Sequence, residues 1–256
     1  MTDLHTHILP GLDDGARDLY DTLAMADLAV RSGTTDLIAT PHCNLPYLYE
    51  NYYNGAYQAA FEAAARAIEE EGIPLRLWPG MEVYCTADLP GLIEEGLVVP
   101  LNGSRCLLME FDFGEDPAFA ARMLGEVQAL GLTPVVAHPE RYEFVQQSPA
   151  VAARWQAAGC LLQVNKGSLL GRFGPEAQTT AWQLLRQRAV AAVASDAHRP
   201  DRRTPWLAEA YEAVAEQLGQ GAARFLFETG PGAICRGQAL PPRQPDKEER
   251  QWESYD

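Results

Sequence analysis

The sequence predicts one α/β domain in which seven strand–helix repeats close, or nearly close, into a barrel. Short apolar, β-branched runs alternate with amphipathic helical stretches, which is the pattern of parallel βα units. The chain has 256 residues, of which 47% are hydrophobic, enough for a single core of barrel size. No internal repeat or linker interrupts the pattern before the last residues. An open doubly wound sheet is the alternative arrangement of the same repeats.

The predicted strands are the seven apolar runs at residues 2–9, 35–42, 76–84, 106–112, 133–140, 160–166 and 189–196. The first predicted helix carries apolar residues at helical spacing, namely Leu19, Leu23, Ala26 and Val30, and Gly33 follows as a stop. A second stripe of this kind runs from Phe61 to Ile68 and ends at Gly72. Later helices are predicted at 117–130, 149–158, 175–188 and 205–218.

The expected domain covers residues 1–236. Residues 237–256 end in PPRQPDKEERQWESYD, which is rich in proline and then charged, and this predicts a flexible, solvated tail. Trp252 and Tyr255 are the side chains that would dock the tail if it were ordered.

Composition argues against several functional classes. No run approaches the eighteen apolar residues typical of a membrane span, and no secretory signal begins the chain, so we expect no membrane insertion and a cytoplasmic location. A net charge of −15 lacks the basic footprint of a nucleic-acid binder. The five cysteines form neither a C-x-x-C pair nor the C-x5-R loop of thiol-based phosphatases. They are Cys43, Cys85, Cys106, Cys160 and Cys235.

The histidines are the main functional signal. Each of the five lies at or just beyond the C-terminal end of a predicted strand: His5, His7, His42, His138 and His198. Active sites of parallel barrels form at this end. One such histidine would more simply be a buried core imidazole, but five in corresponding positions indicate a metal centre.

The N-terminal strand contributes a pair of these histidines. His5 and His7 stand two residues apart in DLHTHIL, so both imidazoles point to one face of a strand. An alternating strand with a solvated polar face would have the same spacing. The following turn, LPGLDDG, supplies Asp13 and Asp14, and one of these carboxylates could approach the same ion. A plain Asp-Gly turn is the competing interpretation.

Carboxylates extend the candidate site. Glu82 and Glu110 follow apolar residues of predicted strands, where a carboxylate is costly to bury unless it is paired or coordinated. Asp196 and His198 form a D-x-H pair that aims two ligands the same way. With Asp14 the candidates number nine, more than one zinc site uses, which indicates two or three ions with shared ligands. Nitrogen and oxygen ligands without thiolate suit Mn, Fe or Zn better than Mg.

Two arginines follow histidines closely in the sequence. Arg141 lies three residues after His138, and Arg203 lies five after His198. A guanidinium near a cation cluster is repelled unless an anion lies between them, so both are candidate phosphate-binding residues, with surface salt bridges as the alternative. Asn165 and Ser168, in QVNKGSLLG, would orient substrate or cap the next helix.

The segments DLHTHILPGLDDGA, IATPH, GMEVY, LMEFDF, VVAHPERY, QVNKGSLLG and ASDAH, in this order, resemble the polymerase-and-histidinol-phosphatase (PHP) superfamily. More narrowly, they are similar to the bacterial manganese-dependent protein-tyrosine phosphatases that control capsule and exopolysaccharide synthesis. The match runs from Met1 to about Arg236, and HPERY and QVN-x-GSLLG are its more specific parts.

The resemblance implies a distorted (β/α)7 TIM-like barrel with a three-metal cluster, of Mn2+ or with Fe or Zn in some sites. It implies nine ligands, with Glu110 bridging: His5, His7, Asp14, His42, Glu82, Glu110, His138, Asp196 and His198. It gives Arg141 and Arg203 a phosphate-binding role, and we add His198 as a third candidate catalytic residue.

The function that the resemblance implies is hydrolysis of phosphotyrosine on a protein, with a bacterial tyrosine kinase as the expected partner. The stretch HCNLPYLYENYYN, which begins at His42 at the end of the second predicted strand, is expected to be a loop on the substrate side. The alternatives are a small-molecule phosphatase, such as a histidinol-phosphate phosphatase, and a non-catalytic metal-binding module. All nine ligands that the resemblance implies are present, and this argues against the non-catalytic module.

Overall fold

The structure is a computed structural model that describes residues 1–241. Most of the predicted tail, including Trp252 and Tyr255, lies outside the described residues. Within residues 1–241 no helix combines the length and the apolar character needed to cross a lipid bilayer.

Within residues 1–241, nine strand segments, all paired in parallel, build the central sheet. They are β1 Thr2–Thr6, β2 Asp36–Ala39, β3 His42–Cys43, β4 Arg76–Pro79, β5 Glu82–Tyr84, β6 Cys106–Glu110, β7 Thr133–Ala137, β8 Leu161–Asn165 and β9 Ala192–Ala194. The seven predicted strands are confirmed, although each ends earlier than predicted or is broken.

Two of the seven strands are broken in the middle. Segments β2 and β3 pair with β4 and β5 at the same residue offset, so each pair continues one strand across a short gap. Pro41 lies in the first gap and has no N–H to donate to the ladder. Gly80 lies in the second, where the Tyr57 hydroxyl bonds both its N–H and its carbonyl oxygen, at 3.1 and 3.0 Å. The segments after the two breaks, β3 and β5, begin at His42 and Glu82, which are paired in register.

Backbone bonds between the first and last strands close the ring. The amide of Asp196 donates to the carbonyl of His5 at 2.9 Å, and the amide of His7 donates to the carbonyl of Ala197 at 2.8 Å. A parallel bridge joins Thr6 to Ala197. Since the other strands follow one another in order around the sheet, the barrel is closed and the open-sheet alternative is wrong.

Eleven α-helices among residues 1–241 surround and cap this sheet. They are α1 Leu19–Arg31, α2 Gly55–Glu70, α3 Leu89–Glu94, α4 Pro117–Ala129, α5 Glu143–Gln147, α6 Ala150–Ala157, α7 Lys166–Leu169, α8 Pro175–Arg186, α9 Ala208–Leu218, α10 Gln220–Arg224 and α11 Gly230–Cys235. The six predicted helices are confirmed to within a few residues. The five that were not predicted have at most six residues each, too few to show a helical period.

Helix α1 packs the predicted apolar stripe against the core, except at its first residue. Ala26 is fully buried, and Leu23 and Val30 are partly buried against the core, whereas Leu19 is 39% exposed. Thr22, Met25 and Ala29, which are also fully buried, widen the contact face beyond the predicted stripe. Gly33 and Gly72 adopt left-handed φ angles of 96° and 64°, as expected of residues that stop a helix.

Candidate metal centre

The five imidazoles meet at the C-terminal end of the barrel, as the sequence predicts. The ring centroid of His7 lies 3.9 Å from that of His198, 4.6 Å from that of His42 and 5.3 Å from that of His5. The His138 ring lies 5.8 Å from the His5 ring on the other side. Residues that are up to 193 positions apart in the chain therefore form one cluster.

Glu82 lies in the middle of this cluster and is 1% exposed. Its Oε2 atom is 3.1 Å from Nε2 of His5, 3.3 Å from Nε2 of His7 and 3.1 Å from Nδ1 of His42. Its Oε1 atom is 3.0 Å from Nε2 of His138. One carboxylate thus faces four of the five imidazoles.

Glu110 and Asp196 lie on either side of Glu82. Glu110 places Oε2 at 3.5 Å from Nδ1 of His42 and Oε1 at 3.4 Å from Nε2 of His138. Asp196 places Oδ1 at 3.6 Å from Nε2 of His5, and it lies beside His198 as the D-x-H spacing predicts, 3.5 Å from Nδ1. The same Oδ1 atom lies 3.5 Å from Nε2 of His7, so Asp196 faces three imidazoles and Glu110 faces two, as shared ligands would.

Three groups of potential ligand atoms can be drawn from these residues, each with all its atoms within 4.8 Å of one another. They are His7, Asp14, His42 and His198; His5, His7 and Asp196; and His42, Glu82 and Glu110. His138, at 3.0 Å from Glu82, is the one predicted ligand outside these groups. The structure therefore gathers all nine predicted ligands at one end of the barrel.

Asp13 and Asp14, which the sequence left unresolved, have different positions. Asp13 turns away from the cluster: its Oδ2 lies 2.7 Å from Nδ1 of His7 and accepts the backbone N–H of His42 at 2.8 Å. Asp14 faces the cluster, with Oδ1 3.4 Å from Nε2 of His198. The Asp-Gly turn is also real, because a Cβ on Gly15 would lie 2.1 Å from the carbonyl oxygen of His7.

The hydrogen bonds behind the imidazoles show which nitrogens are free for a cation. Nδ1 of His5 lies 2.9 Å from the Gln163 amide oxygen, which can only accept, and Nδ1 of His198 lies 3.1 Å from the Asp196 carbonyl. With Asp13 behind His7, the Nε2 atoms of His5 and His7 then both present lone pairs, at a separation of only 3.2 Å. A positive charge, either a proton or a cation, must lie near such a pair.

The donor set fits divalent cations. The buried atoms Glu82 Oε2 and His42 Nδ1 lie 3.1 Å apart, yet neither makes a hydrogen bond of good geometry within the described residues. Imidazole nitrogens backed by a carboxylate, an amide or a carbonyl, together with carboxylate oxygens, are the usual ligands of Mn, Fe and Zn. We infer that these residues hold metal ions.

Protonation follows from the same geometry. Burial raises the pKa of Glu82, but His5 and His42 outweigh burial and hold it well below its usual range. Burial and the charge of Glu82 raise the pKa of Glu110 well above its usual range, because two close carboxylates cannot both ionise easily. Burial lowers the pKa of His138 to about 4. These shifts favour the cation-binding forms of Glu82 and His138, and a cation beside Glu110 would favour its ionisation.

Both predicted arginines lie at the mouth of the cluster. Nη2 of Arg203 is 2.5 Å from Oδ2 of Asp196, and Nη1 of Arg141 is 3.7 Å from the same atom. The expectation that only an incoming anion would offset their charge is therefore wrong, because Asp196 already does so. Their side chains remain 34% and 20% exposed, although Nε of Arg203 is itself buried.

The backbone around these side chains is strained. His138, Asp196 and Arg203 have left-handed φ angles of 32°, 50° and 47°. Non-glycine residues rarely adopt this region, and such residues are concentrated at functional sites. The turns after β7 and β9 use this conformation to direct an imidazole, a carboxylate and a guanidinium into one space.

Strand β8 supplies polar residues that the sequence only partly indicated. Asn165 makes no capping bond; its Nδ2 donates to Oδ2 of Asp196 at 2.5 Å, and its Oδ1 accepts from Gln163 at 2.8 Å. Ser168 donates to Oε1 of the buried Glu140 at 2.7 Å. Gln163 and Glu140 were not predicted. The alternation in QVN, which places residues 163 and 165 on one face, could have identified Gln163.

The loop after His42 lies beside the cluster. The ring of Tyr49 stacks on that of His42, with centroids 5.9 Å apart and planes inclined by 4°. Asn51 donates to the carbonyl of His42 at 3.0 Å and so anchors the loop. Tyr47 and Leu48, at the tip, are exposed. This position is the one expected of a loop on the substrate side, and that role stays a prediction.

Comparison with known proteins places these features in context. The family model for capsular polysaccharide synthesis, CpsB/CapC, matches residues 1–236. The tyrosine-protein phosphatase YwqE of Bacillus subtilis is 33% identical over 249 residues, covering 96% of this chain and 97% of the relative. The tyrosine-protein phosphatase CpsB of Streptococcus pneumoniae is 27% identical over 256 residues, covering 94% and 100%.

Solved structures agree with these relatives. One from a study of YwqE and CpsB, described as unique metal-dependent tyrosine phosphatases, superposes with a TM-score of 0.87 at 32% identity and covers 96% of this chain and 100% of its own. A prolidase superposes with a TM-score of 0.56 at 13% identity over 93% of this chain and 74% of its own, a likeness of fold alone.

Proposed function

The chain belongs to the CpsB/CapC family of capsular polysaccharide synthesis, and on that premise we propose that it is a metal-dependent phosphatase that hydrolyses phosphotyrosine on a protein. The observation that carries the proposal is the buried cluster in which Glu82 faces four imidazoles while two guanidiniums lie at its mouth. The names of the relatives supply the substrate class, which the cluster alone does not identify.

The nine gathered ligands would hold two or three cations, and we propose Mn2+ as the metal, with Fe or Zn in some sites. Bound cations would supply activation of water and neutralisation of the phosphoryl oxygens. The residues of this chain give the cluster its rigidity. Asp13 and Gln163 fix the His7 and His5 rings from behind, so the ligand geometry exists before a cation arrives.

Arg141 and Arg203 would bind the oxygens of the phosphoryl group. Their guanidinium groups lie next to Asp196, at 3.7 and 2.5 Å, and are partly exposed at the edge of the ligand cluster. Charge-assisted bonds from a guanidinium to phosphate strengthen as charge develops on those oxygens during transfer. Tyrosine, with an ordinary pKa of about 10, is a leaving group that needs less protonation than an aliphatic alcohol.

His198 fits the role of a ligand better than that of a proton donor. Its Nδ1 faces the carbonyl of Asp196 and its Nε2 faces the carboxylate of Asp14, so both ring nitrogens are engaged. Any contribution of His198 to catalysis would be made through its contact with Asp14, which is the most exposed carboxylate of the cluster.

The protein substrate that we propose is a bacterial tyrosine kinase acting in capsule or exopolysaccharide synthesis, and the location that we propose is the cytoplasm. The family description, capsular polysaccharide synthesis, supports this choice of substrate. The net charge of −15 disfavours nucleic acid as a partner. We also propose that residues 1–236, the span that the family model matches, form the catalytic domain.

The test is a substrate comparison with the full chain loaded with Mn2+. We expect kcat/KM for a phosphotyrosine peptide to exceed that for histidinol phosphate and for a phosphoserine peptide by at least about tenfold, the scale of one binding contact worth about 1.4 kcal/mol. A Glu82→Gln variant, which removes the central charge, serves as the control for contaminating phosphatase. Preferential turnover of histidinol phosphate would replace this proposal with the small-molecule alternative.

A further inference from the structure

Arg141 lies between two phenylalanine rings. Its Cζ atom is 4.4 Å from the centroid of Phe113 and 4.5 Å from that of Phe173. Both distances are within the range of cation–π attraction between a guanidinium and an aromatic face. The ion pair of Arg141 with Asp196, at 3.7 Å between nitrogen and oxygen, is longer than a hydrogen bond, so the rings are a substantial part of what holds this guanidinium.

The two rings come from separate parts of the chain. Phe113 follows β6, and its carbonyl accepts the N–H of Glu143 at 2.8 Å, which ties it to the segment just after Arg141. Its ring also lies 6.1 Å from that of His138, and it is 39% exposed. Phe173 lies between α7 and α8, and its ring is 5.7 Å from Cζ of Arg203 as well. The rings therefore line the side of the mouth where the guanidiniums lie.

Gly167 makes room for one of the rings. A Cβ at this position would lie 2.6 Å from Cε2 and 3.1 Å from Cζ of Phe173, closer than real contacts of this kind. Gly167 does not have a positive φ, so its backbone conformation does not require glycine. Space for the Phe173 ring is therefore a physical reason for the glycine in QVNKGSLLG.

We propose that Phe113, Phe173 and Gly167 form an aromatic clamp that positions Arg141 for the phosphoryl group. This inference rests on the proposed function. Arginine has a long, flexible side chain, and ordering it when phosphate binds would cost conformational entropy. Stacking between two rings confines the guanidinium plane beforehand while leaving its edge N–H groups free for oxygen. The phenylalanines are thus positioning residues, and they act through Arg141.

The test measures the dissociation constant of inorganic phosphate by calorimetry on the full chain loaded with Mn2+. Phe173→Leu should weaken phosphate binding about 2- to 30-fold, the range that a cation–π contact supports. Phe173→Tyr should keep wild-type affinity. Phe113→Leu, at a more exposed position, should act in the same direction, and so should Gly167→Ala, which displaces the Phe173 ring. Metal content should stay unchanged in all four.

A double-mutant cycle separates positioning from general packing. In an Arg141→Ala background, Phe113→Leu should have no further effect on phosphate binding, because the residue through which it acts is gone. Phe173→Leu should lose most of its effect there and keep only what its longer contact with Arg203, at 5.7 Å, contributes. Phe119→Leu is the matched control: it removes a similar cation–π contact, with Arg122 at 5.2 Å, on helix α4, which supplies none of the predicted ligands or phosphate-binding residues. It should leave phosphate affinity unchanged.

The outcomes separate this inference from the proposed function. If the wild-type chain hydrolyses phosphotyrosine but its phosphate affinity is the same in Phe173→Leu and Phe113→Leu, the clamp is wrong and the function stands. Equal losses with and without Arg141 would also overturn the clamp, since the rings would then act on something else. A wild-type chain that neither hydrolyses phosphotyrosine nor binds phosphate would overturn both.

Discussion

The candidate site has an inner half and an outer half that are built differently. In the inner half, His5, His7 and Glu82 are at most 1% exposed, and each imidazole is fixed by a polar partner behind it. In the outer half, Arg141 and Arg203 are partly exposed and are held by aromatic faces and by one shared carboxylate. The inner half has the rigidity that metal binding needs, and the outer half keeps the free N–H groups that substrate binding needs.

Metal removal should produce the largest effect, because the inner half has no function without a cation. We expect treatment with EDTA to abolish turnover, and Mn2+ to restore it better than Mg2+, given the five imidazoles among the nine predicted ligands. Binding of Mn2+ should also raise the Tm, since a ligand that binds only the folded state stabilises it. Full activity in metal-stripped protein, or inhibition by thiol alkylation, would show that the inner half is not the catalytic centre.

Loss of Arg141 should affect the outer half alone. Replacement by Ala should lower kcat/KM about 10- to 1000-fold, the scale of one charge-assisted contact that strengthens in the transition state. Metal content should be kept, because Arg203 still neutralises Asp196 at 2.5 Å. Lys should rescue only partly, since it lacks the planar, two-pronged donor geometry. Wild-type kcat/KM in Arg141→Ala with a full metal complement would make the arginine structural.

Asp13→Asn should produce a smaller effect confined to the inner half. The carboxylate that backs His7 raises the basicity of that ring against the effect of burial, and the change should weaken Mn2+ binding about 10- to 100-fold. At saturating Mn2+ most of the wild-type kcat should return, because the ligand itself is present. Gln163→Ala, which removes the amide behind His5, is the matched variant, and its Mn2+ affinity should be measured beside that of Asp13→Asn. A loss of kcat that added metal does not restore would assign Asp13 to the reaction itself.

The smallest effect is expected from the cysteines, which belong to neither half. All five are buried, and burial raises the pKa of their thiols, to about 12 for Cys43 and about 11 for Cys160 and Cys235, so they stay protonated at neutral pH. Single changes to Ala or Ser should leave kcat at the wild-type value. Circular dichroism should accompany each assay, and a folded variant without turnover would count against a metal mechanism.

Local patterns in the sequence were sufficient for most of the fold. Strand and helix periods predicted the seven strands and the six longer helices, and the spacing of H-x-H placed His5 and His7 on one side, where their Nε2 atoms lie 3.2 Å apart. Placing every histidine at a strand end sufficed to predict one cluster, because parallel strands end on the same side of a barrel. Periods, spacings and positions at strand ends are properties of residues that are close in the chain, so they can be read from the sequence.

Tertiary structure alone decided which residues contact the candidate ligands and the arginines. Which of Asp13 and Asp14 faces the cluster depends on the turn at Gly15, and the stacking of Arg141 joins rings sixty residues apart in the chain. The closure of β9 onto β1 is likewise invisible in any one segment. Such contacts depend on how whole elements pack, so no local period or spacing encodes them. The sequence by itself thus determined the elements and the candidate ligands, and packing decided their partners.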